Sequence, residues 1–200
     1  MLTLHYAPRT ISVAVAIALE QVGTPYNATR LEFASGDQTK PEYHRLNPKG
    51  RVPALETPDG VLTETGGLLE YVAPSLVPAD AYAAAKMREL MCYLNGTMHP
   101  HHAHAIRGER WADEQSSFDD MKRKTPHRMR ECAEYLEAFL PSLPFDVGAF
   151  EVVSDAYLYV VLTWLRGDSV DIAHFPRLSA FQHRMHKMPS VQAVYEKGML

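Results

Sequence analysis

Glu64 and Thr65 stand at the start of an apolar helical pattern that continues through Leu68, Leu69 and Val72. A helix start carries unpaired N–H groups and a positive dipole end, which suit a carboxylate, and the Glu64 carboxylate beside it suits an ammonium. Upstream, Val52-Pro53-Ala54-Leu55-Glu56 is a short apolar run opened by a proline. Proline has no N–H for a ladder and so is expected at the strand's first residue. If the Val52–Pro53 bond is cis, the Val52 N–H and C=O are turned out as an unpaired edge that an extended peptide can join. A small peptide with a free amine and a free carboxylate fits this set. An ordinary hairpin followed by a capped helix is the plainer alternative.

A second group is His99, His101, His102 and His104 around Pro100. Zinc needs three or four converging ligands. On a helix, His99 and His102 share one face and His101 and His104 the next. No cysteine or Glu-x-x-His pattern supports them, so no metal is expected. Cys92 and Cys132 fall in mid-helix patterns and read as inert packing residues. Lys122-Arg123-Lys124 with Arg128 and Arg130 reads as a solvated helix face. Tyr157, Tyr159, Trp164 and Phe175 read as core.

The elements that must position these residues follow from pattern. Leu2 to Tyr6 alternates as a strand, Ile11 to Glu20 is an apolar helix stopped at Gly23, and Tyr26 to Phe33 is a second strand. A strand-helix-strand unit implies parallel neighbours with a right-handed crossover. Ala34 to Arg45 is polar, with one helical turn near Glu42. Pro58-Asp59-Gly60 closes a hairpin between Val52–Glu56 and Val61–Thr63. The order is βαβαββα. Pro74 to Pro78 breaks the pattern, and only helices follow: Ala83 to about Arg107, Asp119 to Leu140 with an interruption or bend near Pro126, Asp155 to Arg166, Pro176 to His186, and Pro189 to Glu196. The expected division is 1–76, a linker at 77–82, and an all-α domain at 83–200.

Composition narrows the classes of function. The chain has 200 residues and a formal net charge of -4, which argues against a nucleic-acid binder. No apolar run approaches the ~18 residues of a transmembrane span, and the first residues enter a strand directly rather than a secretory leader. Two cysteines make no disulfide framework, so a reducing cytoplasm is the expected setting.

The run Asn47-Pro48-Lys49-Gly50-Arg51-Val52-Pro53-Ala54-Leu55, followed by the Thr63-Glu64-Thr65 helix start, resembles the glutathione transferase superfamily, and the likeness extends over nearly the whole chain. Details look most like the bacterial beta-type enzymes, with one departure: Ile11 stands where they carry a catalytic cysteine. The resemblance implies a thioredoxin-like first domain, an all-α second domain and a two-fold homodimer. Glutathione is the implied co-substrate, held by Arg51, Val52, Pro53, Glu64, Thr65 and more weakly Lys40. The implied partner is an apolar electrophile. Asp155 matches the family's buried helix-start carboxylate. Val152 replaces the usual capping hydroxyl, so Ser154 is expected to cap in its place.

Glutathione chemistry requires a thiolate, and a free thiol ionises near ~8.5. Ile11 donates nothing through its side chain. The candidates left are the hydroxyls of Ser12 and Thr10, then Tyr6, which is alternatively a core strand residue. Backbone N–H groups at residues 10–12 and a charge from Arg9 are further options. His102 matches a histidine that lies near the thiol in beta-type relatives, with His99 in reserve. The expected activity is glutathione conjugation. Alternatives are another glutathione-dependent reaction (isomerase, dehalogenase or peroxidase) or a non-catalytic binding protein of the same fold.

Overall fold

Leu4 and Leu55 face each other across two neighbouring strands and are wholly buried, which fixes the centre of a four-stranded sheet. The computed structural model describes all residues, Met1–Leu200. The first domain runs β1 (Leu2–Tyr6), α1 (Ser12–Val22), β2 (Tyr26–Arg30), α2 (Pro41–Leu46), β3 (Ala54–Thr57), β4 (Gly60–Thr63) and α3 (Thr65–Val72). Sheet order is β2-β1-β3-β4, with β1 parallel to β2 and the other pairs antiparallel. This is the thioredoxin-like arrangement, and an all-helical domain follows it: α4 (Ala81–Tyr93), α5 (His99–Ile106), α6 (Gln115–Phe139), α7 (Ser154–Trp164), α8 (Pro176–His186) and α9 (Pro189–Glu196).

Every residue of α1 from Ser12 to Leu19 is buried. The helix packs on β1 on one side and on α7 and α9 on the other, so its sequence is apolar all round rather than amphipathic. Ser190 Oγ donates to Gln21 Oε1 at 2.8 Å and Lys197 pairs with Glu20, which fastens α9 to α1. Asp80 caps α4 by accepting from the Ala83 N–H at 2.8 Å, and the C=O of Leu76, just before the linker, accepts from the Val153 N–H.

Several expectations change. Pro53 precedes β3 by one residue instead of opening it. The helix expected over 83–107 is divided by a π turn at Leu94–Met98, which precedes Pro100 at the start of α5. α6 runs unbroken through Pro126. Cys92 is exposed, unlike buried Cys132. Ser154 does not cap α7, because its Oγ is buried without a partner. Asp155 accepts instead from the N–H groups of Gly148 (2.8 Å) and Phe150 (3.1 Å), pinning the loop before α7. No helix is long and apolar enough to cross a membrane.

Candidate functional site: a cleft between the domains

A cleft of about 240 Å³ separates the two domains; Thr10, Ile11, Arg51 and Val52 line one wall, and His99, His102 and Trp164 line the other. A larger hollow of about 770 Å³ lies among α7, α8 and α9, but none of the residues expected to act lines it.

The loop before α1 is clamped from the second domain. Arg9 has φ 58°, its N–H donates to the Met199 C=O at 2.8 Å, and its C=O accepts from Trp164 Nε1 at 3.1 Å. Thr10 Oγ1 donates to the Ala7 C=O at 2.8 Å and lies 2.6 Å from Ser12 Oγ. Ser12 Oγ accepts from the Ala7 N–H at 3.2 Å and stands 3.3 Å from the Ala7 C=O. Thr10 is partly exposed on the cleft, whereas Ser12 is wholly buried and does not line it. Tyr6 is buried in the core and also lies off the cleft. The Ile11 N–H has no acceptor within the chain and sits at the positive end of α1.

The Val52 edge forms as the sequence suggests. Asn47 Nδ2 and Tyr43 OH each donate to the Arg51 C=O at 2.6 Å, fixing the backbone just before Val52. Gly50 has φ 60°, and a Cβ there would stand 3.0 Å from the Gln38 C=O, so the turn favours glycine. The Val52–Pro53 bond is cis, and neither the N–H nor the C=O of Val52 has a partner within the chain. At the start of α3 the N–H groups of Thr65, Gly66 and Gly67 are equally free. Glu64 has φ 71°, and its carboxylate meets Lys49 Nζ at 2.5 Å. Glu64, Thr65, Pro53 and Lys40 do not line the cleft itself. Lys40 is held by Asp37 at 2.6 Å.

On the opposite wall His102 Nδ1 meets Asp168 Oδ2 at 2.8 Å, and its ring stacks on Trp164 with centroids 4.4 Å apart. Asp168 is buried, with 5% of its surface exposed. A carboxylate on Nδ1 holds the Nδ1–H tautomer and leaves Nε2 as the free nitrogen. Burial lowers the His99 imidazole to about 4, so it is neutral at pH 7. His101 and His104 lie on the neighbouring face, with rings 6.0 Å apart. No group of three or more His, Cys, Asp or Glu side chains is placed to hold a metal ion. Sequence reasoning assigned Trp164 to the core, where it is buried while also lining the cleft, and missed Asp168 altogether. Nothing local links Asp168 to His102, which lies 66 residues away.

A thioredoxin-like domain followed by an all-α domain, with the free Val52 edge in the cleft between them, defines a class of protein. The family model for the glutathione S-transferase N-terminal domain matches residues 2–74. A glutathione transferase homolog from Sulfitobacter, solved with bound glutathione, is 51% identical, has a TM-score of 0.96, and is aligned over 100% of this chain and 99% of its own. A glutathione S-transferase of Xanthomonas campestris is 26% identical over 96% of this chain and 97% of its own length. A maleylpyruvate isomerase from Ralstonia is 33% identical over 42% of each chain. The chain belongs to the glutathione transferase family, and it is an enzyme of that class.

Proposed function

We propose that glutathione lies extended in the cleft, joined to Val52 as an added strand, and that its sulfur attacks an electrophilic carbon of a small molecule. The observation that carries this reading is the pair of unpartnered backbone groups on Val52, the donor and acceptor an extended peptide needs. The γ-glutamyl carboxylate then meets the free N–H groups at the start of α3, and the ammonium meets Glu64. Arg51 serves the glycyl carboxylate, with Lys40 secondary because Asp37 already holds it. Pro53 fixes the edge.

The sulfur lies at Thr10 and the Ile11 N–H. Thr10 and Ser12 have two hydroxyl protons, and inside the chain these serve the Ala7 C=O and each other. When Ser12 donates to the Ala7 C=O, the Thr10 proton is released toward the thiolate. Ser12 is then a positioning residue, Thr10 the donor, and Tyr6 takes no part. Carbon–sulfur bond formation expels the leaving group with its electron pair, and the apolar part of the electrophile packs on Ile11, Ile106 and Trp111. A two-fold homodimer is supported by the exposed Tyr71 of α3 and Tyr82 of α4. Two free cysteines are consistent with a cytoplasmic setting.

The test is calorimetry with glutathione, followed by the ultraviolet absorbance of the bound thiolate against pH. Micromolar to low-millimolar binding is expected. Thr10→Val should raise the bound thiol's pKa by about one unit, which corresponds to losing one hydrogen bond to the anion. Ser12→Ala should shift it less in the same direction, and Tyr6→Phe should leave it in place. A chain that ignores glutathione at millimolar levels but takes up an apolar dye is a binding protein instead.

Asp168→Ala should lower kcat about 10-fold and leave the KM for glutathione within about two-fold, because it frees His102 to turn without touching the Val52 edge. The double variant with His102→Gln should be no slower than His102→Gln alone. Additive losses would show that Asp168 acts by another route.

A further inference from the structure

Four arginines, Arg9, Arg51, Arg107 and Arg110, line the cleft, and no aspartate or glutamate does. This concentration of positive charge occurs in a chain whose net charge is -4. Elsewhere Arg30, Arg88, Arg123, Arg128, Arg177 and Arg184 each face a carboxylate within 3.5 Å, while Arg45, Arg130 and Arg166 stand singly and apart from the cleft. The four cleft arginines form no ion pair; Arg107 reaches only the adjacent Ile106 C=O, at 3.4 Å, and lies over the Phe33 ring. Burial, and then the charges of Arg51 and Arg107, push the Arg110 guanidinium below its ordinary range, with Glu109 opposing them in part, so Arg51, Arg107 and Arg110 share one space. Like charges gathered with no ion pair among them repel, and an anion in their midst lowers that cost.

Glutathione does not use them all. In the pose proposed above, its γ-glutamyl carboxylate goes to the α3 N-terminus and its glycyl carboxylate to Arg51. Arg9, in the loop before α1, is left over, and so are Arg107 and Arg110, which lie on the second-domain side where the other substrate must enter. We infer that the electrophile is itself an anion, a small molecule bearing a carboxylate that Arg107 and Arg110 grip as its carbon meets the sulfur. The inference rests on the glutathione pose and adds the substrate class to it. Planar guanidinium forks match a carboxylate in two-point geometry, so they orient the electrophile as well as attract it.

Two conjugates test this by calorimetry: S-(dinitrophenyl)glutathione, and the analogue in which a carboxylate replaces one nitro group. They are close in shape and differ in charge. The native protein should bind the carboxylate form about 10- to 100-fold tighter, the ratio expected from one or two charge-assisted hydrogen bonds. In the Arg107→Gln/Arg110→Gln variant the ratio should fall to within about two-fold, while affinity for glutathione alone stays within about two-fold. Equal affinities in the native protein, or a preference that survives the double substitution, overturn the inference and leave the glutathione pose standing. A variant that loses glutathione itself assigns these arginines to the tripeptide and overturns it too. A native protein that binds neither conjugate nor glutathione defeats the pose and the inference together.

Discussion

Glu64→Ala should raise the KM for glutathione about 10- to 100-fold and change the KM for the electrophile by less than about two-fold. The ammonium of the bound tripeptide has one carboxylate at the α3 start to meet, and a charge-assisted hydrogen bond contributes roughly 1.5–3 kcal/mol. Glu64 is exposed, so the lower half of the range should apply in salt, and the effect should shrink as ionic strength rises. Lys49 sharpens the test. Its Nζ lies 2.5 Å from Glu64 Oε1 and 2.7 Å from Thr63 Oγ1. Removing the carboxylate leaves that ammonium facing the incoming one. Lys49→Met should therefore tighten glutathione in the native background and recover part of the loss in the Glu64→Ala background. Glu64→Gly separates binding from folding. At φ 71° a non-glycine residue is strained by about 1–3 kcal/mol, so glycine should stabilise the fold while binding glutathione no better than alanine does. Equal changes in both Michaelis constants would remove Glu64 from the tripeptide's head.

The second large effect concerns Asp155. Asp155→Ala should destabilise the protein by about 2–5 kcal/mol, since the buried N–H groups of Gly148 and Phe150 lose their acceptor. Asn keeps an acceptor oxygen and should cost far less. The pH dependence separates charge from hydrogen bonding. Burial raises the Asp155 carboxyl to about 7, outweighing its two donors, and Oδ1 has no partner. A carboxyl raised in the folded state adds stability below its unfolded pKa of about 4, and that stability is lost as pH climbs through about 7. The loss across this window is on the order of 4 kcal/mol from this group alone. Denaturant unfolding should thus show the native protein weakening relative to Asp155→Asn between pH 4 and pH 8. Parallel stability curves would mean that the carboxylate stays ionised in the core.

Much of the first domain was legible because local chemistry dictates it. Gly23 stops α1, with φ 68° in the left-handed region. The proline starts of α8 and α9 fall where a missing N–H costs nothing. The Asn47-to-Leu55 run also encodes its own geometry. Asn47 reaches the Arg51 C=O four residues on, and Gly50 makes a turn in which a side chain would crowd Gln38. Less was legible where neighbours distant in sequence decide. Ser12 and Thr10 look equivalent in the chain, yet packing of α1 against α7 and α9 buries Ser12 and leaves Thr10 on the cleft. Trp164 looks like core, and only the meeting of α7 with the Arg9 loop turns it into a wall of the site.

The sequence by itself determined the βαβαββα order, the helical second half and the orphan donors at the start of α3, because each depends on residues within a turn or two of one another, and it left the Val52–Pro53 bond open, which the structure shows to be cis. The tertiary structure alone decided which hydroxyl meets the cleft, that Asp168 holds His102, and that Arg9, Arg51, Arg107 and Arg110 converge on one space. These groups come from segments far apart in the chain, and the packing of one domain on the other sets their distances.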